Sequence, residues 1–303
     1  MSFSLVARGV AALVLLTLLA LLPGLPGGPT GAGAAPPPRP GAGCGGGVAA
    51  VQSTDGTWTC RFFDEFSGKS VDTAKWMVQR TWATGWHSGA ECYVDDRDNV
   101  RVSGGTLQLT ARKEAAPFTC SMPDGSDYQT QVTSGMVTTY NRLHQTYGRW
   151  EIRAKFPDVT TPGVHSALWM FPRYSAYGAW PASGEIDIAE FYSSVPDRAI
   201  PYVHYASDGT DPNMTSWSCF IDRTQFHTYR LDWTRTTITI SIDGKVCLRN
   251  SWSPAAPLTK PAPFDQPFFL ALTQALGIGQ NAYSAQGTAL PATTQVDWVR
   301  VWG

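Results

Sequence analysis

The chain has 303 residues, of which 43% are hydrophobic and 16% charged, with a formal net charge of −1. A balance that close to zero argues against a nucleic-acid binder, which needs a basic face to meet phosphates. Charged residues fall well below the roughly 25% of an average globular chain, which disfavours a coiled coil or an acidic disordered protein.

Arg8 precedes an apolar run from Val10 to Leu22 that only Thr17 interrupts. The run is too short to cross a bilayer as a helix, which takes about 20 residues, and suits the apolar region of a secretory signal. Ala32-Gly33-Ala34 offers a small-residue cleavage site. Residues 1–34 are therefore expected to be a secretion signal and 35–56 a Pro/Gly-rich linker, leaving 57–303 as one folded domain. The mature protein is expected to be extracellular and monomeric, with no membrane attachment. Cys44 follows Gly41-Ala42-Gly43, which invites a lipoprotein reading. The Gly at Gly41 and the distance from the apolar run oppose it.

Six cysteines behind a secretion signal read as disulfides, and none stands in the close Cys or His pairs that zinc requires. Composition cannot choose among the pairings. Order along the chain suggests Cys44–Cys60, Cys92–Cys120 and Cys219–Cys247.

From residue 57 onward the hydrophobic period is two. Trp150, Ile152, Ala154 and Phe156 alternate with Glu151, Arg153 and Lys155, the pattern of a half-buried antiparallel strand. Asn99 to Ala111 reads as a hairpin turning at Ser103-Gly104-Gly105, and Thr237 to Asn250 as another turning at Asp243-Gly244. Further strands are expected at Val132–Thr139, Ala167–Phe171, Glu185–Glu190, Tyr202–Tyr205, Tyr229–Trp233, Phe268–Ala275 and Gln295–Trp302. No helical period extends beyond Leu22. The fold class is all-β, a sandwich or barrel of many short strands.

Most of the chemistry sits in Gly184-Glu185-Ile186-Asp187-Ile188-Ala189-Glu190. Period two places Glu185 and Asp187 on one face, and a regular strand would turn Glu190 away. One extra residue around Ile188-Ala189, a β-bulge, would return it. Three carboxylates on one face repel, which raises at least one pKa. A glycosidase needs that, with one carboxylate ionised to attack and another protonated to release the leaving oxygen. A solvated strand face or a calcium cluster would show the same spacing. Gly277-Ile278-Gly279-Gln280-Asn281-Ala282 fits the loose dinucleotide pattern but lacks the helix that should follow. No zinc-protease or serine-nucleophile motif occurs.

Taken in order, Phe63-Asp64-Glu65-Phe66, Tyr147-Gly148-Arg149-Trp150-Glu151, Ala167-Leu168-Trp169-Met170, the carboxylate strand and Val296-Asp297-Trp298-Val299-Arg300-Val301 resemble glycoside hydrolase family 16, the laminarinases and lichenases. The resemblance implies a concanavalin-like jelly-roll sandwich of two curved antiparallel sheets and an endo-acting retaining β-glucanase. β-1,3-Glucan would be its first substrate and mixed-linked β-1,3-1,4-glucan its second. A transglycosylase or galactanase of the family, or a lectin-like binder without chemistry, is the alternative. By position Glu185 is the implied nucleophile, Glu190 the acid and base, and Asp187 the group that poises Glu185. Trp169, Trp180, His204 and Trp86 match positions lining the cleft; Glu91, Arg142 and Gln274 complete the expected substrate-binding set. Ser88-Gly89-Ala90 stands where relatives carry an Asn pair. Leu272-Thr273-Gln274-Ala275 loses an Asn and gains a Gln, which leaves the linkage open. No cofactor is expected for catalysis. Family members often hold a structural calcium where Glu65 and Asp297 fall, and a salt bridge accounts for either residue equally well.

Overall fold

The computed structural model describes residues 44–209 and 211–303. The expected signal segment and the start of the expected linker lie outside the described residues. The first nine strands are β1 (Ala50–Ser53), β2 (Gly56–Asp64), β3 (Met77–Val78), β4 (Cys92–Tyr93), β5 (Val100–Ser103), β6 (Thr106–Cys120), β7 (Tyr128–Ser134), β8 (Met136–Thr138) and β9 (Gly148–Lys155). The remainder are β10 (Val164–Pro172), β11 (Glu185–Tyr192), β12 (Arg198–His204), β13 (Cys219–Phe220), β14 (His227–Trp233), β15 (Ile238–Ile242), β16 (Lys245–Asn250), β17 (Phe268–Leu276) and β18 (Ala292–Trp302). Among the described residues, helix is confined to one turn at Thr81–Thr84 and a 3-10 turn at Gly279–Asn281, so the Gly277 segment opens no dinucleotide-binding helix. None of the described helices is long and apolar enough to cross a membrane.

Two sheets face each other in a jelly-roll sandwich. One has eleven strands, with β16-β15-β14-β9-β18-β6-β7-β4 as its path and β1, β2 and β5 attached beside it. The other has seven, in the order β13-β12-β11-β10-β17-β8-β3. Pairing is antiparallel except between β4 and β7. Alternation explains the packing. Trp150, Ile152 and Ala154 of β9 and Tyr229, Leu231 and Trp233 of β14 turn inward and are wholly buried. They meet Leu168 and Met170 of β10, Ile186 of β11, Val203 of β12 and Leu270 and Leu272 of β17 in one continuous apolar core. Both expected hairpins form, as β5–β6 and β15–β16.

Val132–Thr139 is not one strand. The chain leaves the larger sheet after β7 and enters the smaller one as β8, with Gly135 at the corner. A Cβ there would collide with the Asn99 carbonyl, so the crossing requires glycine.

The folded part also begins earlier than residue 57. Cys44 is buried and bonded to Cys60, β1 pairs with β2, and the Trp302 indole donates to the Val48 carbonyl at 3.1 Å. This stretch is the first hairpin of the sandwich, and the Cys44 sulfur is committed to Cys60. Cys92–Cys120 also forms. The third expected bridge does not: Cys219 and Cys247 are free thiols, lying within hydrogen-bonding reach of each other.

A polar junction joins the two sheets in the interior. Gln274 of β17 is fully buried. Its Oε1 accepts from Ser166 Oγ on β10 and from Thr294 Oγ1 on β18, each at 2.9 Å. Its Nε2 donates to the carbonyls of His165 and Ala275.

Candidate active site

The outer face of the seven-stranded sheet holds the carboxylates, and a bulge in β11 gathers them. On the β10 side Trp169 pairs with Asp187, Leu168 with Ala189 and Ala167 with Glu190, so Ile188 has no partner. On the β12 side Asp187 pairs with Tyr202 and Glu190 with Ile200, three steps against two. The extra residue returns Glu190 to the face of Glu185 and Asp187, as the spacing required. Gly184 precedes Glu185 at φ 82°, with the Phe264 ring packed where a side chain would stand, and this brings the chain into β11.

Each carboxylate has its own surroundings. The Trp180 indole donates to Glu185 Oε2 at 2.5 Å. His204 lies opposite Glu185 in the strand register and its Nε2 is 3.1 Å from Asp187 Oδ2. The His204 ring stacks on Tyr202, 3.8 Å away and nearly parallel. Side-chain atoms of Asp187, Glu190 and His204 come within 4.8 Å of one another. Glu190 Oε1 accepts from Tyr192 OH at 2.6 Å and from His165 Nε2 at 3.1 Å.

These surroundings divide the protons. Burial, then the charge of Asp187, pushes the Glu185 carboxyl up to about 8. Burial and the neighbouring Glu190 charge push Asp187 up as well. Burial also acts on Glu190, but the hydrogen bond and charge of His165 and the Tyr192 hydroxyl outweigh it and hold that carboxyl below its ordinary value. Burial lowers His204, leaving it a neutral imidazole at neutral pH. The cluster thus favours the protonated form at Glu185 and Asp187 and the ionised form at Glu190, a separation that acid and base catalysis uses.

Beside the carboxylates lies an aromatic floor. Trp169 is 9% exposed and its indole donates to Thr273 Oγ1. Trp86 packs against Tyr93 and Trp169 with ring centroids 5.3 and 5.5 Å away. Ala167, Ala271 and Ala275 belong to the same outer cluster, where small side chains leave room above the sheet. A surface that mixes flat rings with carboxylates suits a sugar, which has apolar faces and a rim of hydroxyls.

Residues 88–300 match the description of the glycosyl hydrolases family 16. The chain belongs to that family. It is 34% identical over 263 residues to a beta-glucanase of Rhodothermus marinus, covering 81% of this chain and 85% of that one. It is 34% identical over 260 residues to a glucan endo-1,3-beta-glucosidase of Niallia circulans, covering 79% of this chain but only 37% of that enzyme's length. Among solved structures, the family 16 non-specific endo-beta-1,3(4)-glucanase SCLam superposes with a TM-score of 0.68 at 30% identity, covering 84% of this chain and 93% of that one.

Within this family fold, not every residue singled out from sequence reaches the cluster. Glu185, Asp187, Glu190, Trp180 and His204 are brought together, with Trp169 and Trp86 beside them. Glu91 is fully buried and serves the loop instead: Oε1 accepts from the Ser88 and Gly89 amides, and Oε2 from the Leu276 amide at 3.1 Å. Gln274 points into the sandwich, because its register partner Ser166, and Phe191 paired to Ser166 in turn, lie on the inner faces of their strands. Neither can meet a ligand in the cleft. Arg142 donates from Nε to the Thr73 carbonyl at 2.8 Å and has no contact with the carboxylates.

Glu65 and Asp297 do not fit a calcium site. Glu65 forms a two-point ion pair with Arg300, and Asp297 pairs with Arg153. Each carboxylate is already neutralised by an arginine of β18 or β9.

Two residues of the cluster escaped the sequence reading, His165 and Tyr192. A signal existed. His165 alternates with Ala167 and Trp169 along β10, and Tyr192 lies two residues beyond Glu190, so both must share the outer face.

Proposed function

We propose that the protein is a secreted, retaining endo-β-glucanase that cleaves β-1,3-glucan or mixed-linked β-1,3-1,4-glucan. The observation that carries this reading is the bulge at Ile188, which sets Glu185, Asp187 and Glu190 on one face in three different electrostatic settings. A carbohydrate binder has no use for such a set, because crowded carboxylates cost stability and contribute nothing to holding a neutral sugar. The glucanase names carried by the relatives agree with it. The two disulfides suit an oxidising compartment and support secretion.

In the double displacement, Glu185 attacks the anomeric carbon and its carboxylate oxygen bonds to it as the glycosidic C–O bond breaks. Glu190 gives its proton to the departing oxygen. Water then attacks the glycosyl-enzyme, Glu190 takes up its proton, and Glu185 leaves as carboxylate, so both groups return to their starting state. No cofactor enters the cycle. The raised Glu185 and lowered Glu190 favour the proton on Glu185, whereas the productive state holds it on Glu190. The two states have the same total charge, so activation moves one proton without taking one from solvent. Protonated Asp187 and the Trp180 indole are the groups placed to stabilise the Glu185 carboxylate. Trp180, Trp169 and Trp86 offer faces for successive sugar rings.

The experiment is reducing-sugar release from laminarin, barley mixed-linked glucan, agarose and xyloglucan, with Glu185→Gln in parallel. Release from one or both β-glucans, lost in the variant, is the expected result. Release from none, with binding retained, would return the lectin-like reading.

A further inference from the structure

His165 and Tyr192 stand directly opposite each other on β10 and β11, and their rings stack 4.8 Å apart at an interplanar angle of 4°. Both polar tips converge on the same oxygen, Oε1 of Glu190. Among the described residues no group hydrogen-bonds to Oε2. The stack is itself rigid: two flat rings locked by register and by a shared acceptor have little rotamer freedom left.

We propose that His165 and Tyr192 are positioning residues for the acid–base carboxylate, filling Oε1 of Glu190 so that Oε2 alone exchanges the proton with the glycosidic oxygen. This rests on the reading of Glu190 as acid and base. A carboxyl group that can rotate presents either oxygen, and its proton can sit on the wrong one. With two donors fixed on Oε1, a proton arriving at Glu190 must reside on Oε2, the oxygen without a partner. The same two donors favour the ionised form, which suits the second half of the cycle, when Glu190 must accept a proton from water.

The titratable groups facing Glu190 come from three strands: His165 on β10, Glu185, Asp187 and Tyr192 on β11, and Tyr202 and His204 on β12. Only His165 and Tyr192 donate to Glu190, so they can be removed without touching the other four. His165→Phe keeps the flat ring on Tyr192 and loses the donor; Tyr192→Phe keeps the ring and loses the hydroxyl.

Two measurements test the proposal. The first is a carbon-13 NMR titration of labelled glutamate side chains, with Glu190 assigned by its absence in Glu190→Gln. It needs no substrate, so it stands whether or not the glucanase reading does. Each variant should raise the Glu190 midpoint, and the double variant should raise it further, by about one pH unit or more. The second compares laminarin with a dinitrophenyl β-glucoside oligomer, whose leaving group departs without a proton. The kcat/KM for laminarin should fall about ten- to a hundredfold, while kcat/KM for dinitrophenolate release, which reports only formation of the glycosyl-enzyme, changes little. Circular dichroism of the variants confirms that the fold is kept. An unmoved Glu190 midpoint would overturn the proposal, as would equal losses on both substrates. If wild-type protein cleaves no β-glucan, the glucanase reading fails and the titration alone decides the clamp.

Discussion

The Trp180 indole N–H and the Glu185 carboxylate form a 2.5 Å hydrogen bond across five residues of chain. Once Glu185 ionises, the contact becomes charge-assisted in a buried place, where a donor to the ionised form has most effect. Trp180→Phe keeps an aromatic face and removes the donor. Burial already holds Glu185 at about 8, and losing a donor to its carboxylate form raises it further. The nucleophile must be ionised, so the acid limb of the kcat/KM profile should move to higher pH, by about half to one unit. A profile that falls uniformly without moving would assign the indole to sugar stacking alone.

The bulge makes a prediction about chain length. An alanine inserted between Ile188 and Ala189 makes Glu190 the sixth residue after Glu185, so regular alternation keeps it outward but carries it from opposite Ala167 to opposite His165, about 7 Å further along the sheet. That variant should lose laminarin hydrolysis, because Glu190 no longer stands beside Glu185 and Asp187. Deleting Ile188 instead yields regular alternation with Glu190 still outward, and should fold at a cost of about 2–4 kcal/mol for a lost buried isoleucine. Laminarin hydrolysis by the pair decides it: the deletion keeps Glu190 opposite Ala167 and should retain activity, whereas without a bulge it would turn Glu190 to the other face and abolish it.

Glu91 satisfies three backbone amides from inside the protein. Glu91→Ala strands them, and each unsatisfied buried donor costs about 1–3 kcal/mol. A large loss of stability in urea is expected, with weaker laminarin binding because the same loop carries Trp86. Unchanged stability with weaker binding would place Glu91 in the cleft after all.

Much of this was legible beforehand. The strand alternation, both hairpin turns and the bulge follow from period two and from glycine placement, which are local properties. What escaped was set by contacts between distant segments. Nothing near Gln274 announces that Thr294 will meet it from the other sheet. Nothing near Glu65 announces Arg300. Gly135 sits in a run of good strand formers, and only the approach of Asn99 shows why the chain must turn there. His165 and Tyr192 could have been found by extending the alternation argument one strand to either side.

Cys219 on edge strand β13 and Cys247 on edge strand β16 bring two free thiols together from the two sheets. Their mutual hydrogen bond lowers the Cys219 thiol to about 7, so a thiolate is available near neutral pH. Treatment with oxidised glutathione should consume both alkylatable thiols and raise the melting temperature, a bridge of this loop length contributing about 2–4 kcal/mol. The free thiol count by mass spectrometry after alkylation, before and after oxidation, checks it. Two thiols that stay open under oxidant would refute the expectation.

Apolar faces packed on each other resist separation far better than they resist sliding, because a small slip exchanges one hydrophobic neighbour for another at little cost. The junction of Gln274 with Ser166 and Thr294 removes that freedom, since hydrogen bonds lapse within a fraction of an ångström. It acts as a dowel between two plates. Strand β17 carries Gln274 on its inner face and Thr273, which holds the Trp169 indole, on its outer one. The sugar-facing floor is therefore aligned from beneath, by a side chain that no sugar ever touches.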